Sequence, residues 1–394
     1  MSFPRPLRLF AAASLLLVTL VAPGAFAQDG APGWFQLKDE FQNRWTLTWD
    51  PAQPQTAQLA AKDPADGRLF RVMVLFPKKS SAYDTAMAQI LSVFDDKKLN
   101  TVFHLAHFEG DDAKGDAAVA WARANRQDLI FSMGSRSTAY MLKWRETLDI
   151  PVVTVCSKDP VLLGQVADYD SGSDSNMAFT SLDVPIRSQL AYLKQLKNNL
   201  SQLAVLYAVN NRSAVATQVE PLVAAAEEQG IVIHRVAVQD QNRAAEELAR
   251  EVPKMRDAML ASDPKGENSI FWITGSTSVF REINTINRHA GTIPVLSAIP
   301  NVVKAGSESA VLSIGVSFEN NAQIAGIYGY RILTGQAKTG ELPVGVISPP
   351  DIAINFMKAI EIDLKIPFSF FESAGFVYDH RGVLVRAKGQ NLTP

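Results

Sequence analysis

The chain has a single cysteine, Cys156, followed directly by Ser157, Lys158 and Asp159 in the stretch IPVVTVCSKDP (150–160). A thiol beside a serine, a lysine and an aspartate has the makings of a nucleophile with polar helpers. Such a nucleophile needs a base to draw off its proton, and Lys158 is the only local candidate. The histidines (His104, His107, His234, His289 and His380) all fall outside the loops that follow the strands. Cys156 also closes an apolar run without polar alternation, the mark of a strand buried on both faces, and free cysteine is common in such cores. The sequence assigns Cys156 to the core and makes the loop after it the feature of interest.

Other chemistry is weaker still. His104 and His107 stand three apart in HLAH, on a segment that reads as a strand, so they point to opposite faces and cannot converge on one metal ion. GSTSV (275–279) lacks the lysine of a phosphate-binding P-loop, and no G-x-S-x-G elbow is present. The reading is therefore a binding protein with no catalytic residues, no metal and no cofactor.

The polar residues cluster instead at strand ends: PKKSSAYD (77–84), GSRSTA (134–139), SKDP (157–160), VNNRSA (209–214) and GSTSV. In open parallel sheets, ligands bind beyond the carboxyl ends of the strands, where the following helices present free N–H groups. Ser, Thr and Asn at such places also cap helices. Their recurrence at every loop of one rim points to a polar ligand cleft, with Lys78 and Ser80 among its candidates. The rim is net positive, and Arg136 stands out because a guanidinium grips a carboxylate with two parallel hydrogen bonds.

The elements that must position these loops are legible. Runs at 68–76, 101–108, 128–133 and 151–156 alternate with helical stretches at 83–98, 117–125 and 138–147. The rhythm restarts after Asp183, with strands at 202–208, 231–238, 269–274 and 293–298 and helices at 185–198, 214–229, 243–260 and 279–288. Two series of βα units predict an α/β protein with two Rossmann-like lobes built on parallel sheets. Lobe 1 is expected over 68–182 and lobe 2 over 183–313. The remainder (strand 310–318, helix 320–333, an apolar run at 342–348 and a helix over 352–363) is too short for a third lobe. It is expected to complete the first two by crossing between them, which makes a hinge. Residues 28–67 read as an irregular extension with one short strand at Trp45 to Trp49.

At 394 residues, 47% hydrophobic and with net charge −2, the chain has room for two lobes of ~150 residues and no basic face for nucleic acid. Arg5 and Arg8 precede the apolar run from Leu9 to Ala22, and Ala25-Phe26-Ala27 follows. That is a secretory signal peptide over 1–27, cleaved after Ala27; the apolar run is shorter than the ~20 residues of a membrane span. The mature protein is expected in a periplasm as a monomer.

The stretches DLIFSMGSRSTA, IPVVTVCSKDPV, LAVLYAVNNRSA, IPVLSA, SIGVSFENNAQIAG, RILTGQ and LPVGVISPPDIAINFMKAIEIDLKIP, in this order and spacing, resemble a known family. It is the periplasmic substrate-binding proteins of ABC transporters related to the tryptophan/tyrosine-binding type, matched over roughly residues 69–370. The resemblance implies a type I periplasmic binding fold with a multi-crossing hinge, a small-molecule ligand clamped between the lobes, and handover to an inner-membrane ABC permease. By matched position it implies ligand contacts from Ser135, Ser137, Thr138, Ser157 and Asp159 of the first lobe. Asn210, Asn211, Ser213, Ser276 and Thr277 would contribute from the second, with Phe318 and Glu319 at the crossover. The family often has Asn-Pro-x-Glu where this chain has Val209-Asn210-Asn211, and an aspartate after the strand that here reads SIFWITG. Those acids suit a ligand amino group. Their absence and the positive rim predict an anionic or carboxylate-bearing ligand without an essential amine. A sensory receptor of the same shape is the alternative, and an exported hydrolase a third reading.

Overall fold

A computed structural model describes residues 32–392, so the expected signal peptide lies outside the described residues. The strands of the first sheet are β1 (Trp45–Trp49), β2 (Thr56–Ala61), β3 (Phe70–Phe76), β4 (Thr101–His107), β5 (Leu129–Met133), β6 (Val152–Val155) and β7 (Met177–Ala178). They lie in the order β1-β2-β4-β3-β5-β6-β7, parallel from β4 to β7. β3 shows why. Val72, Val74 and Phe76 enter one apolar cluster and Met73 and Leu75 the other, so both faces need a helical cover. Helices Ser81–Asp96 and Phe318–Leu333 cover one face, and Asp112–Ala124 and Gly134–Met141 the other.

The second sheet comprises β8 (Gln202–Ala208), β9 (Val232–Val238), β10 (Ser269–Ile273), β11 (Val295–Ser297), β12 (Leu312–Gly315), β13 (Asp351–Asn355), β14 (Ala374–Tyr378), β15 (Leu384–Ala387) and β16 (Gln390–Asn391). Its order is β16-β15-β14-β13-β12-β11-β10-β8-β9, parallel from β9 to β12.

The chain passes between the sheets three times. The first passage leads from β7 into helix Ile186–Leu196, whose Leu190, Leu193 and Leu196 join the second sheet's core. The second runs from β12 into helix Phe318–Leu333, which lies against the first sheet so closely that a Cβ on Gly329 would come within 2.6 Å of Phe131. The third runs from Gly345, bridged to Thr180, into β13.

The apolar run 342–348 makes only the single bridge at Gly345. Two expectations are corrected. The expected helix over 352–363 is a strand, β13, followed by a short helix, Phe356–Glu361. Ile352, Ala353 and Ile354 are all buried, so the apolar run carries no helical period, and Asn355 starts the helix by accepting from Lys358 N at 2.9 Å. The extension contributes two strands rather than one. The β1–β2 hairpin adds antiparallel to β4, and Trp34, Phe35, Phe41 and Trp45 enter the core below it. The Trp45 indole donates to Asp95 Oδ1 at 3.1 Å. Burying side chains of this size stabilises by about 1.5–3 kcal/mol each, so this segment is integral to the first lobe.

Candidate functional site

The strand-end loops of the two sheets face each other across a cleft holding a cavity of about 200 Å³. From the first lobe come Lys78 and Ser80 after β3, Ser135 and Arg136 after β5, and Lys158 after β6. Asn210, Asn211 and Ser213 follow β8 on the other side, with Thr277 and Ser278 after β10, and Phe318 stands at the second crossing.

Local chemistry explains which of these side chains are free. Ser80 precedes helix Ser81–Asp96 without capping it, which leaves its hydroxyl for the cleft. Gly134 sits at φ +77, and a Cβ there would overlap the Tyr83 hydroxyl, so glycine alone lets Tyr83 reach the cleft wall. Asn211 is partly spent: its Oδ1 accepts from Ala214 N and from the Ser213 hydroxyl. Arg136 is engaged outward, donating at 2.6 Å to both Gly110 O and Asp112 Oδ1.

Several expected contacts are placed elsewhere. Ser137 is buried, bonding the Ser132 hydroxyl and Leu75 O, and Thr138 and Ser157 are buried beside it in the first lobe. The Asp159 carboxylate accepts from Val161 N, Leu162 N and the Tyr169 hydroxyl, turned away from the cleft. The Ser276 hydroxyl accepts from Ala208 N and so ties the ends of β8 and β10. Glu319 receives Asn301 Nδ2. These six lie outside the cavity lining: Ser137, Asp159 and Ser276 bond backbone groups, the Thr138 and Ser157 hydroxyls are buried without a partner, and Glu319 is held by Asn301.

Tyr83, Gln241, Gly275, Ser278 and Phe280 line the cleft without having been expected as contacts, and Lys158, expected only as a cation of the rim, lines it as well. Lys158 carried a signal, since it stands in the loop after Cys156. It begins a chain of buried bonds that joins the lobes. Its Nζ lies 3.3 Å from Asp183 Oδ1 at the first crossing, and the same oxygen accepts from Gln218 Nε2 at 2.5 Å. Gln218 Oε1 in turn accepts from Gly275 N at 2.6 Å. A Cβ on Gly275 would overlap Lys158 Nζ, so this approach of the lobes requires glycine.

Cys156 sits at the floor with its N–H bonded to Asn321 Oδ1 at 2.8 Å and φ at +54. Burial pushes its thiol pKa up, with the charge of Glu319 adding, so the thiolate is disfavoured. The lining holds three cations (Lys78, Arg136, Lys158) and no carboxylate. Arg136 is paired with Asp112 and Lys158 with Asp183, whereas Lys78 forms no ion pair among the described residues. Burial lowers the Lys78 pKa, and the facing positive charge of Arg281 lowers it further.

Two α/β lobes, three crossings and a polar cleft at the strand ends define a binding protein of the type I fold. An arabinose binding protein, AraP, from Geobacillus stearothermophilus has this fold at TM-score 0.50 and 12% identity, covering 75% of this chain and 99% of its own. Nearer in shape is an ABC domain from Streptococcus pneumonia in complex with L-Trp, at TM-score 0.60 and 20% identity, covering 78% of this chain and 99% of that one. A ligand-free, open substrate binding protein with adhesive properties from Clostridium difficile, CD0873, matches at 0.59 and 19%, covering 78% and 98%. No curated protein matches the chain. The family described as ABC transporter substrate binding protein matches residues 94–377, and this chain belongs to it.

Proposed function

We propose that this protein is an exported receptor that closes its lobes on a small anionic or carboxylate-bearing molecule and delivers it to an ABC permease. The lobes are taken to divide near Asp183, with the segments after 314 completing both. The observation that carries the ligand class is the lining itself, with three cations, no carboxylate, and Lys78 without a counter-ion. The Lys78 side chain is exposed to the cleft, so its ammonium, beside the positive charge of Arg281, is free to meet an anion. Lys78 therefore takes the leading role expected of Arg136, whose guanidinium is already held by Asp112. Unlike the L-Trp of that complex, the ligand proposed here needs no amino group, in keeping with the missing amine-binding acids.

No helix among the described residues is long and apolar enough to cross a membrane. The signal peptide read at 1–27 supports a receptor in the periplasm, taken as a monomer. Binding without turnover is supported by the receptor family and by a Cys156 thiol held protonated. The test is calorimetry with the molecule carried through purification. Lys78→Ala must weaken its binding, and an unchanged affinity for a neutral or cationic molecule would sink the reading.

A further inference from the structure

Two sequence features have no part in the cleft: the aromatic-rich extension and the His104/His107 pair. The fold brings them together on the far side of the first lobe. Sheet register aligns Thr48, Gln58, His104 and Met73 in one row across β1, β2, β4 and β3, and Thr56 beside Ala106 in the next. Ala57 and Leu59, which alternate with these residues along β2, face the core on the opposite side. Helix Asp112–Ala124 covers β4 but not the hairpin beyond it. It turns Lys114, Ala117, Ala118 and Trp121 toward the same space, at helical spacing that puts them on one face. The two alanines keep the space open. The result is a cavity of about 580 Å³, within the usual ~300–1,000 Å³ range of small-molecule sites.

Its walls differ in kind from the cleft. Trp121 and His104 contribute rings, their centroids 5.0 Å apart, while the Trp49 ring packs on the core face of the sheet and the His107 ring stacks on Trp34. Burial lowers both imidazole pKa values, which keeps the rings neutral at physiological pH. Lys114 is neutralised by Glu109, and Asp50 accepts from Ala52 N. The hairpin that forms one side precedes the family match, which begins at residue 94.

We infer that this cavity is a second binding site, for a neutral, flat aromatic molecule, separate from the interlobe cleft. The rings of Trp121 and neutral His104 favour such a molecule by stacking and apolar contact.

The test is fluorescence titration of the mature protein with the neutral aromatic probe N-phenyl-1-naphthylamine. Saturable one-to-one binding is expected. Ala117→Trp and Gln58→Trp fill the space from opposite walls at exposed positions, and each should weaken the probe by about ten-fold or more. Circular dichroism checks that each remains folded, and either variant alone suffices if the other does not. Lys78→Ala should bind the probe as wild type does. No saturable binding to wild type, equal binding in the folded tryptophan variants, or loss in Lys78→Ala would each overturn the second site.

Discussion

The interlobe cleft and the cavity beneath the hairpin are built on opposite plans. The cleft is small, cationic and lined from strand-end loops, and its neighbours are locked into hydrogen bonds that cross between lobes. The cavity is larger, aromatic and neutral, and lies within one lobe beside an added sheet edge. Only the cleft can change volume when the lobes move, because only the cleft has walls on both. The comparison teaches that conformational signalling in this protein belongs to the charged site. Occupancy of the aromatic one should leave the lobe angle alone.

The strongest way to break this contrast is to cut the bonds that join the lobes. Asp183→Ala leaves the Lys158 ammonium buried and unpaired and removes the acceptor for Gln218 and for Asp159 N. Stability should fall by about 3–5 kcal/mol, the cost of orphaning one partner of a buried pair, as read by urea unfolding. A loss below ~1 kcal/mol would show that the chain of bonds does not hold the lobes.

Next in size is the ligand's charge. Lys78→Ala should weaken binding of the natural ligand by about 1.5–3 kcal/mol, the span for a hydrogen bond to a charged group, and Arg136→Ala by less, since its guanidinium is shared with Asp112. Calorimetry on both variants ranks them, and the reverse order would restore Arg136 as the anchor.

The pH dependence follows from the same lysine. An anion favours the protonated ammonium, and in the free protein burial and Arg281 lower the Lys78 pKa below its ordinary value. Affinity should therefore decline as pH rises into the alkaline range, beginning before an ordinary lysine would lose its proton, and the decline should vanish in Lys78→Ala. A flat profile in the wild type would remove Lys78 from the site.

The smallest effect is expected at the cysteine. Cys156→Ser should cost about 1–2 kcal/mol in stability and leave ligand affinity within a few-fold, as equilibrium dialysis would show. Complete loss of binding in a folded variant would reopen the nucleophile reading.

How far the sequence reaches differs between the two regions for a physical reason. The strands that position the cleft are short apolar runs between polar loops, and QLAVLYA maps onto β8 residue for residue. Loop position thus brought Lys78, Ser80, Asn210 and Thr277 to the cleft. Side-chain direction was not legible. Ser137 and Ser276 sit in the same loops yet point inward, because they satisfy backbone groups that only the folded chain reveals. The hairpin was harder still. TAQLAA (β2) has little β-branched character, and it becomes a strand because β4 offers an unpaired edge. Such a tertiary partner leaves no mark in local pattern, so the second cavity was invisible before the fold was known.

The central claim is that the cleft takes an anion, and mass spectrometry of the molecule released from gently purified protein tests it most directly. The account predicts a small molecule bearing a carboxylate or another acidic group, bound one to one and lost from Lys78→Ala. Release of a cation or a neutral sugar, retained equally by Lys78→Ala, would contradict it.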